Sequence, residues 1–105
     1  MSGRVLAALV AATLVGTLPA SAQSADHPGK APYDRSCGVC HGPDGRGNVA
    51  PPLVPLEKDF DEVRAIVREG RGEMPPTSAN AVSDDTLRRI VEYLKSQGKR
   101  TAVRR

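Results

Sequence analysis

An all-α fold of three to four short helices and turns, wound around a body that the chain does not itself supply, is predicted by three observations. Residues 60–69 and 84–97 space their apolar side chains at helical intervals and carry capping residues at their ends. No stretch alternates apolar and polar residues as a half-buried strand does. The remaining segments are rich in glycine and proline, and the chain offers one Phe, two Tyr and no Trp from which to build a core.

Taken in order, the chain begins with Arg4, an apolar run of about 14 residues, then Pro19 and the small residues Ala20, Ser21 and Ala22. This pattern reads as a cleavable secretory signal over residues 1–22, since the run falls short of the ~20 residues that cross a bilayer. Residues 23–105 then form a single domain, with 23–28 as a loose polar terminus. Residues 29–36 suit a short helix in which Pro32 either sits in the first turn or bends the segment. Residues 42–48 read as consecutive turns and residues 50–53 as extended chain, because each proline excludes the helical region for its predecessor. Asp59 with Glu62 forms a capping-box pattern ahead of Phe60, Val63, Ile66 and Val67, and Gly70 is a suitable stop. Residues 71–80 form a loop. Ser83 caps the last helix, Asp84 and Asp85 complement its dipole, and Val82 with Leu87 are placed as a hydrophobic staple. Leu87, Ile90, Val91 and Leu94 share one face; Gly98 is expected to end the helix and residues 99–105 to fray as a basic tail.

The two cysteines stand three positions apart in Cys37-Gly38-Val39-Cys40-His41. A histidine directly after such a pair is the attachment signature of a c-type haem. Each thiol adds to one vinyl group of the porphyrin, and the short turn between them brings His41 beneath the ring as an axial ligand of the iron. A disulfide between Cys37 and Cys40 would close a trivial loop and stabilise little, whereas a buried porphyrin supplies the large flat apolar surface that the side chains lack. One axial position remains. With residues 1–22 removed, Met74 is the last methionine, 33 residues after His41 on a loop stiffened by Pro75 and Pro76, and is read as the second metal ligand. His27, ten residues before Cys37, is read as part of the loose terminus and without a functional role.

Charge narrows the partners. The whole chain carries +3; loss of Arg4 with the signal leaves +2 over the remaining 83 residues, and two haem propionates bring this near zero. There is no clustered basic face of the kind that nucleic acids require. A zinc site lacks a credible fourth ligand, and a thiol oxidoreductase lacks the βαβ pattern.

These residues resemble the small bacterial class I c-type cytochromes: CGVCH near the N-terminus, GxG before Ala50-Pro51-Pro52-Leu53, the Met74-Pro75-Pro76 loop and Glu92-Tyr93-Leu94-Lys95 in a terminal helix come in that family's order. The resemblance implies a cytochrome c-like fold around one covalent haem c. It implies that Pro51 offers its carbonyl to the outer nitrogen of His41, that Leu53 packs on the haem, and that Gly29 lies where the first and last helices cross, flanked by Tyr33 and Tyr93. Arg46 and Arg71 are candidates to reach a propionate. Pro32 departs from the family, which usually continues the first helix there.

The function expected is that of a soluble periplasmic electron carrier, not an enzyme: a monomer without a membrane span in mature form, docking transiently with redox protein partners. The alternative is a haem c electron-transfer subunit of a periplasmic dehydrogenase complex. A ligand-binding haem protein from which Met74 dissociates is a third reading.

Overall fold

The computed structural model describes residues 3, 10–16 and 27–103. Most of the expected signal segment, and residues 23–26, lie outside the described residues. Among the described residues four helices follow in order: α1 (Lys30–Ser36), α2 (Gly38–His41), α3 (Phe60–Glu69) and α4 (Asp84–Val103), with a 3₁₀ turn at Pro43–Gly45. Among the described residues there is no strand, and the one backbone bridge joins Arg71 to Met74. The architecture is all-α, as expected.

Pro32 does not bend α1. The helix starts at Lys30, so Pro32 occupies the first turn, where a missing N–H costs nothing. Ahead of it, His27 is less free than its polar surroundings suggest: its Nδ1 accepts from the Gly29 N–H at 3.0 Å, its carbonyl accepts from Lys30, and its ring packs 5.6 Å from that of Tyr93. The first turn of α1 needs acceptors for its orphan N–H groups, and His27 supplies two.

The capping box of α3 forms in both directions, Glu62 N–H to Asp59 and Asp59 N–H to Glu62, each at 2.9 Å. Phe60, Val63 and Val67 pack against the core. Ile66 does not join them; at 100° per residue it stands well off the line of the other three and lies half-buried among Lys58, Glu62, Ala65 and Glu69. Ser83 Oγ accepts from the Thr86 N–H at 3.1 Å, and Val82 and Leu87 are both buried in the core.

The last helix runs past its expected end, through Gly98 to Val103. A glycine inside a helix costs about 1 kcal/mol relative to alanine and does not stop one by itself; here no left-handed residue is adopted at 98, and the glycine's open face lies against Pro55. Lys99 and Arg100 therefore stand on helix, not on a frayed tail.

Tyr33, Val82, Leu87, Ile90, Tyr93 and Leu94 make one buried cluster, drawn from α1, the segment before α4, and α4. α1 and α4 cross at Gly29. A Cβ there would lie 1.9 Å from the Arg89 carbonyl oxygen and 2.7 Å from Tyr93 Cβ, so the backbones touch only because the residue is glycine. The rings of Tyr33 and Tyr93 meet beside the crossing, 5.5 Å apart and tilted by 48°, within the range of favourable aromatic pairs. Their hydroxyls reach toward the turn that follows α2: Tyr33 donates to the Gly42 carbonyl at 2.7 Å and Tyr93 to the Asp44 carboxylate. Burial, before any other cause, pushes the Tyr33 phenol up to about 12 and raises that of Tyr93 still further, the latter also through its bond to Asp44.

Substituting Gly29→Ala must part the two helices. The expected cost is that of overpacking, about 1–3 kcal/mol, read as a lowered unfolding midpoint of the haem-bearing protein; an unchanged midpoint would contradict the crossing described.

Candidate functional site

Cys37, Cys40 and His41 are brought together by one helical turn. Cys37 interrupts the helical run between α1 and α2, and its carbonyl accepts from His41 N–H at 2.9 Å. Cys37 is half-buried against the core, Cys40 is exposed, and both thiols are free. Burial pushes the Cys37 thiol up to about 11. A sulfur in such a place is better tolerated as a thioether, which has no proton to lose, than as a thiolate.

The chain then folds back on His41. Gly42 makes the reversal at φ 81°, and a Cβ on it would lie 2.4 Å from the Gly47 carbonyl oxygen. Gly47 N–H donates to the His41 carbonyl at 2.7 Å, Ala50 N–H to the Cys40 carbonyl at 2.9 Å, and Leu53 N–H to the Gly45 carbonyl at 2.8 Å. The returning strand of loop sets the Pro51 carbonyl 2.8 Å from Nδ1 of His41. A carbonyl only accepts, so Nδ1 carries the proton and Nε2 keeps its lone pair for a metal. The neighbouring proline, Pro52, makes no such bond to the imidazole among the described residues; its N and Cδ lie close to Gly47. Leu53 is half-buried and packs on the core.

Met74 belongs to a second unit. It is half-buried, and its backbone pairs with that of Arg71 in both directions, at 2.9 and 3.1 Å. Thr77 N–H donates to the Val67 carbonyl at 2.7 Å, which returns the loop to α3. Arg46 and Arg71 are both exposed. Sequence reasoning missed the ties that hold this second unit: Arg68 reaches the Thr77 carbonyl and the Asp84 carboxylate, and Arg64 reaches the same carboxylate. The two arginines are visible as an i, i+4 pair, but nothing in the sequence joins them to an acid 16 and 20 residues away. The Arg68 hydrogen bond, before the other causes, holds the Asp84 carboxyl below the usual carboxylate range.

The residues fit a haem. Two unpaired thiols and an imidazole with its Nε2 available supply the attachment and one axial bond. Leu53, Val54, Leu56, Phe60, Val63 and Val67 lie on the core yet stay only partly covered, an apolar surface that the polypeptide leaves open. Among the described residues no group of three or more His, Cys, Asp or Glu side chains is gathered to hold a metal by protein ligands alone.

Comparison with known proteins agrees with this chemistry. Residues 24–94 match the family model described as cytochrome c oxidase, cbb3-type, subunit III. The chain is 37% identical over 83 residues to the 4-cresol dehydrogenase [hydroxylating] cytochrome c subunit of Pseudomonas putida, an alignment that covers 79% of this chain and 72% of that one. No solved structure matches. With its attachment motif, its half-open apolar surface and both similarities in agreement, the chain belongs to the cytochrome c family, electron-transfer proteins that carry a covalently bound haem c.

Proposed function

We propose that this cytochrome works in the periplasm as a one-electron carrier whose iron is held between His41 and Met74, with Cys37 and Cys40 as the thioether attachments. The observation that carries this reading is the 2.8 Å bond from His41 Nδ1 to Pro51, which fixes the ring and its tautomer and leaves Nε2 for iron. The haem supplies the redox chemistry, cycling between Fe(II) and Fe(III). The polypeptide's part is to hold the imidazole at one fixed angle and to keep water from the apolar surface around it. A methionine as the other ligand favours the reduced state and closes the position at which dioxygen or peroxide would bind. The cytochrome is then a carrier and not the catalyst. Leu53, with its half-covered side chain, packs on the macrocycle. Residues 1–22 are read as the signal that sends the chain across the inner membrane; among the described residues no helix is long and apolar enough to span one.

A second reading has a specific observation behind it. The relative from Pseudomonas putida is named as a subunit of a dehydrogenase, and the same fold and ligands serve a permanent partner as well as a transient one. Size-exclusion chromatography of a native extract separates the two. A free carrier elutes near its own mass, whereas a subunit elutes with its dehydrogenase partner.

Two expected outcomes test the ligand assignment. In the oxidised wild-type protein a weak long-wavelength band reports a sulfur–iron bond; Met74→Ala abolishes it and lowers the reduction potential, while a band that survives the substitution assigns the ligand elsewhere. Replacing Cys37 and Cys40 together with alanine leaves no haem on the polypeptide after denaturing electrophoresis; retained haem stain would sink the attachment.

A further inference from the structure

We propose that Arg68 is a positioning residue for Met74, acting through the loop that carries it; this rests on the reading of Met74 as the second axial ligand. The side chain of Arg68 leaves the last turn of α3 and is only 22% exposed. One guanidinium nitrogen donates to the Thr77 carbonyl at 3.2 Å and the other to Asp84 Oδ1 at 2.8 Å. Arg64 donates to Asp84 Oδ2 at 3.1 Å, so both oxygens of that carboxylate are taken. One side chain thereby joins the end of α3, the return of the Met74 loop and the first residue of α4.

The loop is closed on both sides of the methionine. Before it, Gly70 N–H caps α3 on the Ile66 carbonyl at 2.8 Å; after it, Thr77 N–H holds the Val67 carbonyl at 2.7 Å, and Arg68 grips Thr77 again through its own carbonyl. Between these ends the Arg71 and Met74 backbones are paired.

A thioether is a weak ligand, so its occupancy depends on how much the loop gains by letting go. Each backbone rotation freed in the detached state favours detachment, and each tie that survives detachment removes some of that gain. Arg68 ties the base of the loop without touching the sulfur, which is how a residue six positions before Met74 can shift the ligand equilibrium. Arginine suits the place because its planar fork reaches two acceptors at once; lysine offers a single point charge.

A purely structural staple between α3 and α4 would lower thermal stability and leave ligand exchange in the folded protein untouched. The two roles part in an imidazole titration of the oxidised, haem-bearing full chain, read beside the long-wavelength sulfur–iron band and the unfolding midpoint. Arg68→Gln is expected to bind imidazole about five- to tenfold more tightly than wild type, the change produced by freeing about one more backbone residue of the loop in the detached state, with Arg68→Lys in between. An imidazole affinity for Arg68→Gln within twofold of wild type, whatever the midpoint does, overturns the proposal. Should Arg68→Gln fail to mature, Arg68→Lys and Asp84→Asn each keep part of the clamp and are judged by the same criterion. Met74→Ala serves as reference. If wild type lacks the band and matches Met74→Ala in imidazole affinity, the Met74 reading fails and this inference with it; if wild type shows the band and Arg68→Gln exchanges like wild type, only the role of Arg68 fails.

Discussion

A polypeptide with one phenylalanine, two tyrosines and no tryptophan has to close its core on something other than its own side chains. The buried cluster is modest, two tyrosines and four aliphatic residues, and it is already spent on crossing α1 over α4. Against it lie Leu53, Val54, Leu56, Phe60, Val63 and Val67, each only partly covered. Domains of this size bury too small a fraction of their surface to be secure without a staple. A porphyrin bonded to Cys37 and Cys40, as proposed, would be such a staple: it would cover apolar surface and could not be lost.

Around that constraint the chain divides its work. The helical crossing at Gly29 is a rigid frame, and its two tyrosine hydroxyls extend it to the turn after His41 through Gly42 and Asp44. That turn returns the backbone so that Pro51 meets the imidazole. On the other side, α3 and the start of α4 hold the Met74 loop through Arg64, Arg68 and Asp84. These are partly exposed ion pairs, individually weak. Their worth lies in where they act: at the base of the loop that carries Met74, the ligand proposed for the iron.

Much of this was legible in the residue order, because the signals are local. The capping box at Asp59 and Glu62, the staple of Val82 and Leu87, and the attachment motif each depend on residues within five positions of one another. The crossing glycine and the Pro51 carbonyl came from resemblance, not from spacing; in the structure Gly29 lies against Arg89 and Tyr93 of α4, and the Pro51 carbonyl lies against His41 Nδ1. What escaped was set by distant packing. Gly98 looks like a stop until Pro55 is seen against it, His27 looks idle until it accepts from Gly29, and Ile66 keeps helical spacing but falls off the covered arc. The Arg68 clamp spans elements that only the fold brings together.

If the macrocycle completes the core, a chain that cannot retain it should open. Amide hydrogen exchange, compared between the haem-bearing protein and a chain in which Cys37 and Cys40 are alanine, tests it most directly. Amides of α4 around Leu87 to Leu94 are expected to be protected in the first and to exchange almost freely in the second. Equal protection in both would show that the side chains close the core unaided, and would contradict it.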